Sequence, residues 1–188
     1  MRSPLNPRVS AMSRKEPARG FSLMELLITI AVIGILMGIA IPSFRQAALA
    51  SELRATANSL LVATVAARSE AIKRNAVVAL CPSSNGSSCG GTWEQGWIVS
   101  CATSDNINCT AGGSNRLVLQ AEGSAAAGVR VIAQGGATTL NFDPTGAAAT
   151  AQVFKICRER PLGNQERVLT LTATGRGSIT KTTTGACP

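Results

Sequence analysis

The chain has 188 residues, 45% of them hydrophobic and 15% charged, which suits one domain of ordinary size plus an additional element. It contains no histidine, which excludes imidazole acid–base chemistry, Ser-His-Asp and Cys-His nucleophile systems and the usual zinc sites; with 3% aromatics and no Tyr, the core must be aliphatic and alanine-rich. The net charge is +8, but Arg2, Arg8, Arg14, Lys15 and Arg19 against Glu16 place half of that excess in the first twenty residues, leaving a modest basic footprint for nucleic acid elsewhere.

Residues 1–18 read as a disordered basic tail. Residues 26–44 carry no charged side chain, and at about 1.5 Å per residue a helix of this length spans about 28 Å, close to the hydrocarbon thickness of a bilayer. With the basic tail on its N-terminal side, the positive-inside rule predicts a cytoplasmic tail and an exported remainder. A secretory signal has a shorter apolar region followed by a processing site, whereas here the run is longer and continues into helical sequence without a turn-rich processing region. A plain anchor accounts for the length but not for Glu25, a carboxylate at the edge of the apolar run that is costly in lipid unless paired. Gly34 and Gly38 form a small-xxx-small pair that permits close helix packing, though ordinary membrane-helix composition gives the same pattern.

The run Arg19-Gly20-Phe21-Ser22-Leu23-Met24-Glu25-Leu26-Leu27 resembles the processing signal of type IV pilins and pseudopilins. The resemblance implies that a prepilin peptidase cuts after Gly20 and that Phe21 becomes the methylated N-terminus. It further implies that Glu25, the fifth mature residue, pairs with the N-terminal amine of a neighbouring subunit during assembly.

From Arg45 to Asn75, apolar positions recur at three- and four-residue spacing (Leu49, Leu53, Ala57, Leu60, Leu61, Thr64, Ala67, Ala71 and Ile72), which predicts an amphipathic helix continuous with the apolar run. Pro42 is expected to loosen that helix rather than end it, because both flanks keep the period. After residue 75 the period shortens and turn residues multiply. Strands are expected at 76–81, 96–101, 116–120, 129–133, 138–142, 152–157, 167–172 and 177–181, separated by Ser-, Gly- and Asn-rich loops such as 82–92 and 102–115. One helix followed by consecutive strands implies an α+β fold, with the helix packed on an antiparallel sheet. The six cysteines, Cys81, Cys89, Cys101, Cys109, Cys157 and Cys187, contain no CxxC pair and read as three disulfides formed in an oxidising compartment. Six cysteines allow 15 connectivities. Local proximity favours Cys81–Cys89 and Cys101–Cys109, which leaves Cys157–Cys187 to clamp the C-terminus.

The segment Ala67-Arg68-Ser69-Glu70-Ala71-Ile72-Lys73-Arg74-Asn75, then Leu80-Cys81-Pro82 and Trp93-Glu94-Gln95-Gly96-Trp97-Ile98-Val99, resembles the GspH/FimT family of minor pilins and minor pseudopilins. Phe154, Cys157 and Thr174-Gly175-Arg176 fit the same family's C-terminal pattern. The resemblance implies the type IV pilin-like fold, a long N-terminal helix on an antiparallel β-sheet head. It divides the chain into a leader (1–20), a transmembrane and assembly half-helix (21–48) and a globular, disulfide-bonded head (49–188). Trp93 and Trp97 read as core residues, and Arg68, Glu70, Lys73 and Arg74 as a solvated helix face with local ion pairs.

Ser178-Ile179-Thr180-Lys181 matches the SxxK pattern of serine acyl-enzymes, but it reads as strand and lacks the companion motifs, so no catalytic residue is assigned. No metal or cofactor motif is found. The resemblance implies a structural assembly subunit of a type IV pilus tip; the alternative is the H-type minor pseudopilin of a type II secretion system. Implied partners are the prepilin peptidase, other pilins or pseudopilins and the inner membrane, from which the head is exported before entering the fibre. Some members of the family bind DNA through a C-terminal GRxR motif. Here Ser178 replaces its second arginine, so double-stranded DNA as a partner rests on Arg176 and Lys181, with Arg158, Arg160 and Arg167 adding charge if Cys157–Cys187 brings those segments together.

Overall fold

The computed structural model describes residues 20–101, 118–158, 166–182 and 187. The basic tail, Cys109 and Arg160 lie outside the described residues. Two compact units are resolved, Met1–Phe44 and Arg45–Pro188.

Helix α1 runs from Leu23 to Arg74 and contains Pro42 without interruption. In its second half, Leu53, Thr56, Ala57, Leu60, Ala63, Thr64, Ala67 and Ala71 are buried. Their three- and four-residue spacing forms one stripe, and four of the eight are alanines, which let the backbone approach the sheets closely. The two buried hydroxyls are satisfied within the helix, with Thr56 donating to the Glu52 carbonyl at 3.1 Å and Thr64 to that of Leu61 at 2.7 Å. Ile72, expected on this stripe, is instead half-exposed, as are Val62 and Val65. It sits one residue, about 100° of rotation, beyond the buried Ala71. The helix ends where Asn75 takes a left-handed conformation (φ 49°) and the Ala76 N–H returns to the Ala71 carbonyl, with Lys73 and Arg74 in the last turn.

Eight strands follow among the described residues: β1 (Val78–Pro82), β2 (Trp97–Cys101), β3 (Val118–Glu122), β4 (Val129–Ala133), β5 (Leu140–Phe142), β6 (Gln152–Arg158), β7 (Glu166–Leu171) and β8 (Gly177–Thr182). They form two four-stranded sheets rather than one, in the orders β3-β2-β1-β5 and β4-β6-β7-β8, with every pairing antiparallel. The break lies at the small-residue connection 123–128, after which β4 pairs with β6 and not with β3. β1 and β2 are buried at every position, as their unbroken apolar runs imply, whereas β6 and β7 largely alternate.

One core joins the elements of the head. Leu60 and Ala67 of α1, Leu80, Trp97, Val99 and Phe142 of the first sheet, and Val131, Phe154, Ile156 and Leu169 of the second belong to one buried cluster. A single 3₁₀ turn, Trp93–Gln95, clips the two sheets together. The Trp93 ring meets Phe154 edge-on at 4.9 Å, its Nε1 donates to the Ala137 carbonyl at 2.9 Å, and Glu94 accepts from the Arg130 Nε at 3.0 Å. Cys81 is bonded to Cys89 and Cys157 to Cys187. Cys101 is also disulfide-bonded.

Two turns touch where neither tolerates a side chain. Gly175 (φ +75°) lies against the carbonyl of Gly146 (φ +82°), and a Cβ at Gly175 would collide with that oxygen. Gly175→Ala is therefore expected to cost at least about 1–3 kcal/mol, read as a lowered denaturant midpoint at unchanged slope. Truncation of the fully buried Phe154 to Ala is expected to cost about 3–5 kcal/mol, whereas Val65→Ser, on the exposed side of α1, stays within about 0.5 kcal/mol.

Candidate functional site

The first candidate is the N-terminal motif. Gly20 has open space around it, and Phe21 is 79% exposed. The helix begins just after them, with the Leu26 N–H bonded to the Ser22 carbonyl at 3.1 Å. Glu25 falls in the first turn, where the helix dipole favours a carboxylate. The large apolar side chains from Phe21 to Phe44 are exposed, and the most apolar 18-residue window of α1 buries none of its surface within the protein. By length and composition this helix can cross a membrane. Such a surface needs lipid or partner helices, and Glu25 is the acid nearest its start.

The second candidate is the basic surface at the C-terminal end of the chain. β8 places its two candidate cations apart. Arg176 lies in the turn before the strand, its backbone N–H on the Thr172 hydroxyl, whereas Lys181 lies near the strand's far end. Five residues of strand correspond to about 17 Å. Near Arg176, the side chain of Arg68 packs at Gly175 and Gly146. Lys181 pairs in register with Arg167 of β7, which in turn pairs with Ile156 of β6, two residues before Arg158. Arg158 donates to Glu52 of α1 at 2.5 Å and to the Ala127 carbonyl at 2.8 Å. The chain thus carries two basic groups at opposite ends of β8. Arg167, expected only as added charge, alternates with Leu169 and Leu171 and is buried with them. Glu52 was legible only as a polar position on α1.

Ser178 to Lys181 is strand, so the SxxK pattern lacks the helix turn its chemistry requires. Trp93 and Trp97 are core residues. A cleft of about 520 Å³ between the loop after β1 and the end of β3 is lined by hydroxyls, amides and one carboxylate, Glu122. That lining contains no paired acid and base.

Three carboxylates, Glu70, Glu94 and Asp143, are held below their usual pKa by their surroundings, Asp143 chiefly by the hydrogen bond from the Thr145 hydroxyl. The hydrogen bond from Arg74 at 2.6 Å dominates at Glu70 and, with Lys73 at 3.5 Å, holds its pKa below the usual value against the opposing effect of burial. At Glu94 burial is the largest single influence and opposes ionisation. Hydrogen bonds from Thr92, its own backbone, Arg130 and Val131 outweigh it, and the pKa is again lowered. A folded-state pKa below the unfolded value of about 4.3 gives stabilisation that is complete above that pH and is lost as the pH falls through the folded value. The unfolding midpoint is accordingly expected to drop below about pH 4.3, and to drop less steeply in Glu94→Gln; equal acid sensitivity of the two proteins would contradict this assignment.

Comparison with known proteins agrees with this geometry. The family described as type II transport protein GspH matches residues 56–175, and the prokaryotic N-terminal methylation motif matches residues 17–41. Over 62 residues, 33% of this chain, the sequence is 44% identical to the pilin-like protein PilA1 of Thermus thermophilus, of which the match spans 38%. Among solved structures, the type IV minor pilin FimU of Pseudomonas aeruginosa is similar with a TM-score of 0.56 at 19% identity, covering 73% of this chain and 96% of that one. A second crystal form of FimU gives 0.53 at 20% identity, covering 72% and 100%. These likenesses show a type IV pilin fold. With more than half of its length matched to GspH and a methylation motif opening its helix, the chain belongs to the GspH/FimT family of minor pilins and pseudopilins.

Proposed function

We propose that this protein is a minor pilin of a type IV pilus, a structural subunit that helps to start or cap the fibre at its tip. The observation that carries this reading is an exposed apolar half-helix that begins directly after Gly20-Phe21 and holds Glu25 in its first turn. A prepilin peptidase cuts after Gly20 and methylates Phe21. Before assembly the subunit waits in the inner membrane with its head on the periplasmic side. During assembly Glu25 meets the N-terminal amine of a neighbouring subunit. That pairing compensates a carboxylate that would otherwise lie unpaired in an apolar environment.

The second reading is the equivalent minor pseudopilin of a type II secretion system. It is supported by the description of the matched family. The pilus reading is supported by the disulfide-bonded head and by the likeness in fold to FimU. A contact with double-stranded DNA draws support from the exposed Arg176 and Lys181, although their separation along β8 limits the phosphates that one face can follow.

Glu25→Ala is expected to be cleaved and inserted normally but to be depleted at least tenfold from sheared fibres, measured by quantitative immunoblot against the wild type. Normal incorporation would contradict the pairing role. A bulky residue at Gly20, such as Gly20→Trp, should leave the unprocessed form in the membrane fraction. Deleting the gene and scoring pili and secreted protein in parallel separates the two systems: loss of pili with intact secretion supports the first reading, and the reverse supports the second.

A further inference from the structure

Arg167 is 7% exposed, yet the partner of its guanidinium is the carbonyl of its own neighbour, Glu166, at 3.0 Å. Among the described residues no carboxylate forms an ion pair with it or with Lys181. A buried cation without an acid is costly, and here a second cation stands directly opposite it. Arg167 and Lys181 are register partners on adjacent antiparallel strands, so their side chains leave the same face of the sheet with Cβ atoms about 5 Å apart. That face is the core-facing one, because the next register pair along it is Leu169, in the core, and Ile179, packed against it. Arg158 shares the face, two residues beyond Ile156, and its Nε is buried without a hydrogen-bond partner. Among the described residues, Glu52 is the one carboxylate bonded to the group, through Arg158. Among the described residues, three cations against one acid leave an excess of positive charge on this face of the second sheet. Arg167 supplies a fixed, poorly solvated charge, and the exposed Lys181 supplies the contact.

The location of this excess bears on what neutralises it. Glu52, which anchors Arg158, follows Phe44 at the end of the apolar run by eight residues. Eight residues reach at most about 28 Å, so the chain itself tethers this cluster to the vicinity of any bilayer in which the run is embedded. Three cations on one face of three consecutive strands match a single phosphate. Duplex DNA, by contrast, is followed by a row of cations, and the next one on β8, Arg176, lies about 17 Å away. We infer that Arg158, Arg167 and Lys181 form a binding site for the phosphate of an anionic phospholipid headgroup, occupied while the subunit is anchored in the membrane. This inference rests on the membrane-anchored reading above.

The test uses the full-length protein, extracted from membranes into neutral detergent micelles and titrated calorimetrically with short-chain phosphatidylglycerol. Short-chain phosphatidylcholine, inorganic phosphate and a short DNA duplex are the comparison ligands. The expected result is saturable, salt-sensitive binding of phosphatidylglycerol, absent for phosphatidylcholine and weaker for inorganic phosphate. Lys181→Gln should weaken it about fivefold, in line with one cation lost at an anionic surface. Lys181 is exposed, so this variant should keep the wild-type unfolding midpoint; Arg167→Met, which removes the buried charge, should also lose binding while matching or exceeding that midpoint. No selectivity for phosphatidylglycerol over phosphatidylcholine overturns the proposal, as does unchanged affinity in Lys181→Gln. Inorganic phosphate or duplex binding as tightly as the lipid, with the same sensitivity to Lys181→Gln, assigns the site to those ligands and overturns it as well. A protein that fractionates as soluble before extraction removes the anchored reading itself, and this inference with it. A membrane-bound protein without headgroup selectivity removes the inference alone.

Discussion

Everything in the head depends on how closely α1 approaches the two sheets. Ala57, Ala63, Ala67 and Ala71 present almost no side chain to the core, and each is fully buried. Larger residues on that stripe would push the helix outward and open voids along both sheets. Interiors at crystal-like density do not accommodate such voids without loss. The chain's shortage of aromatics belongs to the same economy, since a core with four Phe and two Trp in the whole sequence cannot fill wide gaps. The few large rings are placed where the elements meet. Trp93 touches Phe154 across the sheets, and Trp97 and Phe142 are buried beside the helix stripe in the same cluster.

The same helix serves two environments, and its sequence changes accordingly. Before Arg45 it is apolar on every side; after it, only one stripe is buried. A helix apolar all round is stable in lipid or among similar helices, and an amphipathic one on a packed sheet. Composition therefore sets the two environments within a single uninterrupted element. The clip at Trp93–Gln95 does comparable work between the sheets. Backbone and side chain cooperate there, with the Ala125 N–H on the Glu94 carbonyl and the Val131 N–H near the Glu94 carboxylate.

Much of this was legible in the sequence, for reasons that can be named. The strands from Val129 and Leu169 onward alternate clearly, and the helix stripe from Leu53 to Ala71 keeps its period. The division into two sheets was not legible, because alternation fixes which face a residue takes but not which strand lies beside it. Ile72 was misplaced because the surrounding run of small and apolar residues blurs the edge of the stripe. At the N-terminal motif the residue types themselves were informative. Around Arg167 the cations themselves were legible as charges, but Arg158, Arg167 and Lys181 are spread over 24 residues of sequence, and strand register shows which face they share.

The bond between Cys157 and Cys187 encloses β7 and β8 in a covalent loop that starts and ends beside β6. For a subunit held in a fibre, this alters how load travels. Tension applied to the last residues passes through sulfur to β6, so β8 is not peeled off its neighbour one hydrogen bond at a time. At the edge of the first sheet, β5 contains no cysteine. β5 is three residues long and is held by its register with β1. Mechanical yielding should therefore begin at β5, before the strands inside the Cys157–Cys187 loop give way.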